Sequence, residues 1–132
     1  MSIKGHVPEK DGILACLLVA EMVAAERKSL RELLADLYSR VGEIYTKRIN
    51  IRLSPQLEGS LPDKLAAPPE QIGGRRITEI IRIDGNKYLF EDGAWLLFRK
   101  SGTEPVVRLY AEAKSSSSLA ELIESGREFI LG

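Results

Sequence analysis

The stretch Arg99-Lys100-Ser101-Gly102-Thr103-Glu104-Pro105-Val106-Val107-Arg108-Leu109-Tyr110-Ala111-Glu112 sits between two apolar runs. Ala94-Trp95-Leu96-Leu97-Phe98 precedes it, rich in aliphatic and aromatic residues, and from Val106 to Ala111 apolar and polar residues alternate. Both flanks read as β-strands, so the polar segment is a loop joining them. Pro105 presets φ at its exit and restricts Glu104 to extended geometry. Strand alternation puts Trp95, Leu97 and Arg99 on one face, and Arg108, Tyr110 and Glu112 on one face of the next strand. The two guanidinium groups are then able to converge over the loop.

This is the equipment for holding an anion. Ser101 and Thr103 can donate O–H bonds, and Gly102 tolerates the positive φ that lets successive backbone N–H groups converge as a nest. Arginine forks match paired phosphate oxygens. Charge-assisted bonds of this kind contribute about 1.5–3 kcal/mol each, against roughly 1 for a neutral pair, so Arg99 and Arg108 should dominate. A Ser-Gly-Thr tripeptide alone would be an ordinary polar loop; the specificity lies in the whole pattern.

That pattern, Arg-x-Ser-Gly-Thr-Glu-Pro-x-x-Arg-x-Tyr-x-Glu, has every fixed position filled by residues 99–112. It resembles the phosphate-binding loop in the C-terminal domain of the α-D-phosphohexomutases, the family of phosphoglucomutase and phosphomannomutase. A second, weaker resemblance lies in Lys4-Gly5-His6-Val7-Pro8-Glu9-Lys10-Asp11-Gly12-Ile13, which is similar to the segment after the sugar-recognition loop near the end of the family's third domain. A lone loop histidine is usually a surface group, so Lys4 and His6 enter only as candidates near the substrate.

Composition bounds the rest. The chain has 132 residues, 44% of them hydrophobic, enough to bury a core in one domain or in a small domain plus part of another. Nineteen basic residues balance nineteen acidic ones, leaving no overall field to attract nucleic acid or an anionic membrane. Cys16 is the only cysteine, which excludes an intrachain disulfide and a multi-cysteine zinc site and fits a cytoplasmic setting. The longest apolar run, Ile13 to Ala20, is too short to span a bilayer.

Asp11 caps an expected helix to about Glu26 whose residues from Ile13 to Ala20 are apolar all round. Such a helix needs cover on more than one side, from a sheet upstream or in a partner. Ser29 and Glu32 form a capping box for a second helix, in which Leu30, Leu33, Leu34, Leu37, Tyr38 and Val41 recur at helical spacing and Gly42 is the stop. The family's boundary between third and fourth domains falls near here. We therefore expect 1–42 to be the C-terminal helical end of the third, α/β domain and 43–132 to be the C-terminal phosphate-binding domain.

Beyond Gly42, Tyr45 to Leu53 alternates as a half-buried strand, and Ser54 to Pro69 reads as a short helix with Leu57, Leu61 and Leu65 four residues apart. Gly73 and Gly74 interrupt. Ile77–Ile83, Tyr88–Glu91, Ala94–Phe98 and Val106–Ala111 are four further strands, separated by Asp84-Gly85, Asp92-Gly93 and the loop. A closing helix starts in the serine run 115–118, with Ser118 and Glu121 as its capping pair. The sum is an α+β domain, β-α-β-β-β-β-α, with an antiparallel sheet and helices packed on it. The resemblance implies a fold like that of the TATA-box binding protein, a likeness that carries no nucleic-acid binding with it.

The resemblance covers the whole chain but only the closing portion of a phosphohexomutase. It implies a parent enzyme that interconverts hexose 1-phosphate and 6-phosphate through a phosphoserine, a hexose 1,6-bisphosphate intermediate and Mg2+. In that scheme Arg99, Ser101, Gly102, Thr103 and Arg108 grip the phosphate that is not being transferred. Glu104 orients a neighbouring arginine or backbone donor, and Lys100 solvates the rim. The partners expected are a phosphorylated hexose and the upstream domains of the same chain, with no nucleic acid and no membrane. This chain has no Thr-x-Ser-His-Asn loop for the phosphoserine, no Asp-x-Asp-x-Asp-Arg loop for magnesium and no Glu-x-Ser-Gly sugar loop, so it is expected to be inactive alone. The competing reading is a free-standing phosphosugar-binding or interaction module without chemistry.

Overall fold

A computed structural model describes residues 4–5 and 11–132, which divide into two compact units, Met1–Gly42 and Glu43–Gly132.

The first unit holds two helices, α1 (Gly12–Glu26) and α2 (Leu30–Val41). Asp11 caps α1 by accepting the Leu14 N–H at 2.9 Å, and Arg27 ends it in the left-handed region at φ 53°. For α2 the capping box is complete: the Ser29 hydroxyl accepts from the Glu32 N–H, and the Glu32 carboxylate accepts from the Ser29 N–H at 2.7 Å. The bonds from Ser29 hold the Glu32 carboxyl below the usual carboxylate range. Lys28 and Asp36 form an ion pair. Neither helix has a buried residue, and Ile13 and Leu17 on α1 are 76% and 62% exposed.

In the second unit, β1 (Tyr45–Arg52) is followed by α3 (Pro55–Ala66), then β2 (Gln71–Ile72), β3 (Arg75–Ile81), β4 (Asn86–Phe90), β5 (Trp95–Lys100), β6 (Val106–Ala113) and α4 (Ser116–Leu131). The strands form one antiparallel sheet in the order β1-β6-β5-β4-β3-β2. This is the α+β architecture expected from the sequence. The chain returns β6 between β1 and β5, which brings the loop 101–105 to the end of β1.

One face of the sheet is covered. Ile51, Tyr88, Phe90, Leu96, Phe98, Val107, Leu109 and Ala111 point into it from four strands and meet Leu61 and Leu65 of α3 and Leu119, Leu122, Ile123 and Ile130 of α4. Each large aliphatic or aromatic side chain so buried stabilises the unit by about 1.5–3 kcal/mol relative to exposure. Tyr88, Phe98 and Phe129 form a tilted to edge-on trio with centroids 5.7–6.2 Å apart. The Tyr88 hydroxyl reaches through the core to donate to the Leu65 carbonyl at 2.9 Å. At Gly126, α4 lies so close that a β-carbon would stand 2.7 Å from Leu109 Cδ1.

Three details differ from the sequence reading. Gly73 and Gly74, at φ 57° and 73°, interrupt nothing: they are the two-residue turn of a small hairpin pairing β2 with β3. Strand β3 spans Arg75–Ile81 in place of Ile77–Ile83, because the turn to β4 takes residues 82–85 and leaves Ile83 92% exposed. The cap of α4 is Ser115, which accepts the Ser118 N–H at 3.1 Å, and not Ser118. Ser118 and Glu121 serve the Arg75 guanidinium, which reaches them at 3.0 and 3.4 Å and Asp92 at 3.2 Å.

Candidate functional site

The face of the sheet opposite the core carries the residues singled out in the sequence. In β5 the residues that alternate away from the core are Trp95, Leu97 and Arg99; in β6 they are Val106, Arg108, Tyr110 and Glu112. The β5–β6 register pairs Trp95 with Glu112, Leu97 with Tyr110, and Arg99 with Arg108. Directly opposed residues in an antiparallel pair project to the same side, with β-carbons about 4.5–5.5 Å apart. Arg99 and Arg108 are thus neighbours on one face at the mouth of the loop. The β1 register adds Asn50 to the same row, opposite Arg108.

The loop is fixed by backbone bonds. Ser101 N–H donates to the Val106 carbonyl at 2.9 Å, Val106 N–H to the Glu104 carbonyl at 2.8 Å, and Leu53 N–H to the Pro105 carbonyl at 2.9 Å. The last of these ties the loop to the end of β1. Among the described residues Ser101 is the buried polar side chain, 7% exposed. Its hydroxyl oxygen accepts from an Arg108 terminal nitrogen and from the Thr103 N–H, both at 3.5 Å. These are long contacts, at the outer limit of a hydrogen bond. Gly102, Thr103, Glu104 and Pro105 are exposed.

Two expectations about this loop need correction. Gly102 is not among the glycines with positive φ, so no nest is built on a left-handed glycine here. A β-carbon placed at 102 would meet nothing within 4 Å, so no contact among the described residues requires glycine there. Secondly, the carboxylate beside Arg99 is Asp84, 3.1 Å from Nε, in the turn between β3 and β4. Among the described residues Glu104 forms no ion pair with either arginine. Lys100 does more than face solvent at the rim, since it pairs with Glu58 of α3 at 2.8 Å.

Beside the loop lies a cleft of about 620 Å³ between α3, the 84–86 turn and the end of β5. Leu61 and Leu65 form its floor, and Asp84, Arg99, Lys100 and Gly102 stand at its edge. On the open face of the sheet, Trp95 Nε1 donates to Glu112 at 2.9 Å and Lys87 Nζ lies 4.1 Å over the indole ring. Tyr110, next to Arg108 along this face, is half-buried.

Lys4 is exposed in a turn of the first unit. His6 lies outside the described residues. Among the described residues no group of three or more His, Cys, Asp or Glu side chains is placed to hold a metal ion. Among the same residues no helix is long and apolar enough to cross a membrane. Sequence reasoning misses Asp84 and Asn50; the first looks like a turn residue and the second like a solvent-facing strand position. Counting the strand register outward from Arg99 and Arg108 is the signal that finds both.

Against known proteins, residues 4–128 match the family model described as phosphoglucomutase/phosphomannomutase, C-terminal domain. A phosphoglucosamine/phosphogalactosamine mutase of Sulfurisphaera tokodaii is 29% identical over 127 residues, which is 96% of this chain and 26% of that protein. A phosphoglucomutase/phosphomannomutase of Thermococcus kodakarensis is 32% identical over 117 residues, 89% of this chain and 24% of that protein. The crystal structure of a phosphoglucomutase/phosphomannomutase family protein from Burkholderia thailandensis aligns with 72% of this chain and 19% of that one, at 28% identity and a TM-score of 0.49. The chain thus spans about a quarter of the length of the curated relatives it matches. With the family model covering nearly its whole length, the chain belongs to the phosphoglucomutase/phosphomannomutase family, as the C-terminal portion of such a protein.

Proposed function

We propose that residues 43–132 are the phosphate-gripping domain of a phosphohexomutase and that the preceding helices are the end of its third domain. The loop holds the phosphate that stays on the sugar while the other is exchanged with a phosphoserine elsewhere in the parent enzyme. The observation that carries this reading is the direct opposition of Arg99 and Arg108 on the open face, with the Ser101 hydroxyl against Arg108. Two like charges facing each other across a strand pair are unfavourable unless an anion joins them. A phosphate monoester, mostly dianionic at neutral pH with a second pKa near about 6, supplies paired oxygens for two forks.

Each residue has a defined part. Arg99 and Arg108 supply charge-assisted bonds, Ser101 and Thr103 their hydroxyls, and Gly102 the open space through which the ester approaches the backbone. None of them is a base or a nucleophile, so their contribution is remote binding energy that positions the reacting end of the sugar. Lys100 and Glu104 support the loop, and Lys4 and His6 are the candidates for contact with the sugar outside it. The names of the relatives include glucose, mannose, glucosamine and galactosamine phosphates and also a pentose phosphate, so the common theme is the phosphorylated sugar rather than one sugar. Magnesium, the bisphosphate intermediate and a cytoplasmic setting belong to the parent enzyme in this reading, and no step of it runs through a metal held by this chain.

Titration of this chain with glucose 6-phosphate, followed by backbone amide NMR with glucose as the uncharged control, tests it. The sugar phosphate is expected to shift the 99–108 amides and glucose to leave them unmoved. Arg108→Ala should weaken the phosphate ester by about ten- to a hundredfold, the equivalent of one charge-assisted contact. Equal affinity for wild type and variant would remove Arg108 from the site.

A further inference from the structure

We infer that Asp84 is a positioning residue for Arg99, holding the guanidinium by its Nε side so that the terminal nitrogens face the phosphate. The inference rests on the phosphate-binding reading above and adds to it a residue outside the loop motif.

Three features of the fold support it. The first is the contact itself, Asp84 Oδ1 to Arg99 Nε at 3.1 Å. A guanidinium has five N–H donors in a planar fork, and a carboxylate on Nε leaves the far edge, with most of those donors, available to a second anion. The second is the neighbouring Gly85. One step beyond the Asn86–Phe98 pair, Gly85 falls opposite Arg99 and closes the row Asn50–Arg108–Arg99. It is at φ 98°, and a β-carbon there would lie 2.5 Å from the Phe98 carbonyl oxygen and 3.4 Å from Arg99 Cα. Only glycine lets the turn sit this close to β5, and that approach is what delivers Asp84 to Arg99. The third is the contrast between the two arginines. Arg108 has a hydroxyl at its terminal nitrogen, whereas Arg99 has a carboxylate at Nε, so each is held by a different group on a different side.

The pair is open to water, with side chains 46% and 69% exposed, so its effect should be modest. Asp84→Asn, which keeps the size of the side chain and leaves Gly85 in place, is expected to weaken glucose 6-phosphate by about three- to fivefold. In an Arg99→Ala background the same change should have no effect, because Asp84 acts through Arg99. The spectroscopic signature is the Arg99 Nε–Hε resonance, which should move in Asp84→Asn without ligand while the Arg108 resonance stays in place. A purely structural role for the turn would move neither selectively and would lower affinity in both backgrounds. Unchanged or tighter binding by Asp84→Asn, with Arg99→Ala still weakening the ester, would overturn this inference and leave the phosphate site standing. A wild-type chain whose 99–108 amides do not respond to glucose 6-phosphate would overturn the site, and the role of Asp84 with it.

Discussion

Gly102 shows how a single missing side chain shapes the candidate site. The residue does not adopt positive φ, and nothing stands within 4 Å of where its β-carbon would be. Gly102→Ala should therefore fold normally, with stability within about 0.5 kcal/mol of wild type, as for an unconstrained surface substitution. If the open space is where the phosphate ester meets the backbone, the same change should raise the dissociation constant for glucose 6-phosphate severalfold. Thermal denaturation and the NMR titration, run on the same sample, separate the two effects. Much of this site is legible from residue types alone, because Arg99, Ser101, Gly102, Thr103 and Arg108 are contiguous enough for strand alternation to place them. Asp84 is not legible in that way. It lies on a different turn from the loop, and only the β4–β5 register converts that separation along the chain into contact. Glu104, inside the loop itself, looks the better orienting carboxylate in the sequence because sequence reading weighs nearness along the chain.

The helices of the second unit offer a comparison in which one substitution has opposite signs. Gly59 in α3 has nothing within 4 Å of the position a β-carbon would take, so Gly59→Ala should stabilise by about 0.5–1 kcal/mol through helix propensity. Gly126 in α4 gains the same propensity, but its β-carbon would stand 2.7 Å from Leu109 Cδ1 and 3.1 Å from Leu96 Cδ1. Overpacking of this kind costs about 1–3 kcal/mol, so Gly126→Ala should be net destabilising. Urea denaturation of both variants checks the pair, and a stabilised Gly126→Ala would mean that α4 sits further from the sheet. The link between α3 and β4 has a pH signature. Burial pushes the Tyr88 phenol up to about 12, against a smaller opposing pull from the Arg82 guanidinium. The unfolded phenol titrates near about 10, so the stabilisation is complete below that pH and is lost as pH rises from about 10 through about 12, at up to about 1.4 kcal/mol per unit. Tyr88→Phe should abolish this alkaline slope. At neutral pH it should cost about 1–3 kcal/mol, because the Leu65 carbonyl loses its donor. Long alternating strands such as β6 are readable because local pattern and final burial agree in them, and α2 is readable from its capping box although none of its residues is buried. β2 is not, since two residues cannot show a period and Gly73-Gly74 reads equally as a break. The cap of α4 is misplaced in the sequence reading because the four serines 115–118 are all competent caps, and the Arg75 guanidinium decides which one is drawn elsewhere.

For the molecule as a whole, the proposed function separates binding equipment from reaction equipment. The chain carries equal numbers of basic and acidic residues, so there is no overall field to draw in an anion, and the proposed affinity has to be local to the row of arginines on the open sheet face. Its first helix is apolar on every side and has no buried residue, which is the pattern of an element whose cover comes from elsewhere. The chain spans about a quarter of the relatives it matches, and the loops that the reaction needs have no counterpart in residues 1–132. Phosphoryl exchange requires a nucleophile that is already phosphorylated and an offset for the charge that develops on the transferring group. In the proposed function the loop of arginines and hydroxyls holds the distal phosphate and contributes to neither step. We therefore expect the chain, incubated with glucose 1-phosphate, glucose 1,6-bisphosphate and magnesium, to produce no glucose 6-phosphate above background in a coupled dehydrogenase assay. It should nonetheless bind the sugar phosphate in the titration described above. Turnover that Arg108→Ala abolishes would show that the row of arginines is part of a complete active site, and the division between gripping and reacting proposed for this family member would have to be withdrawn.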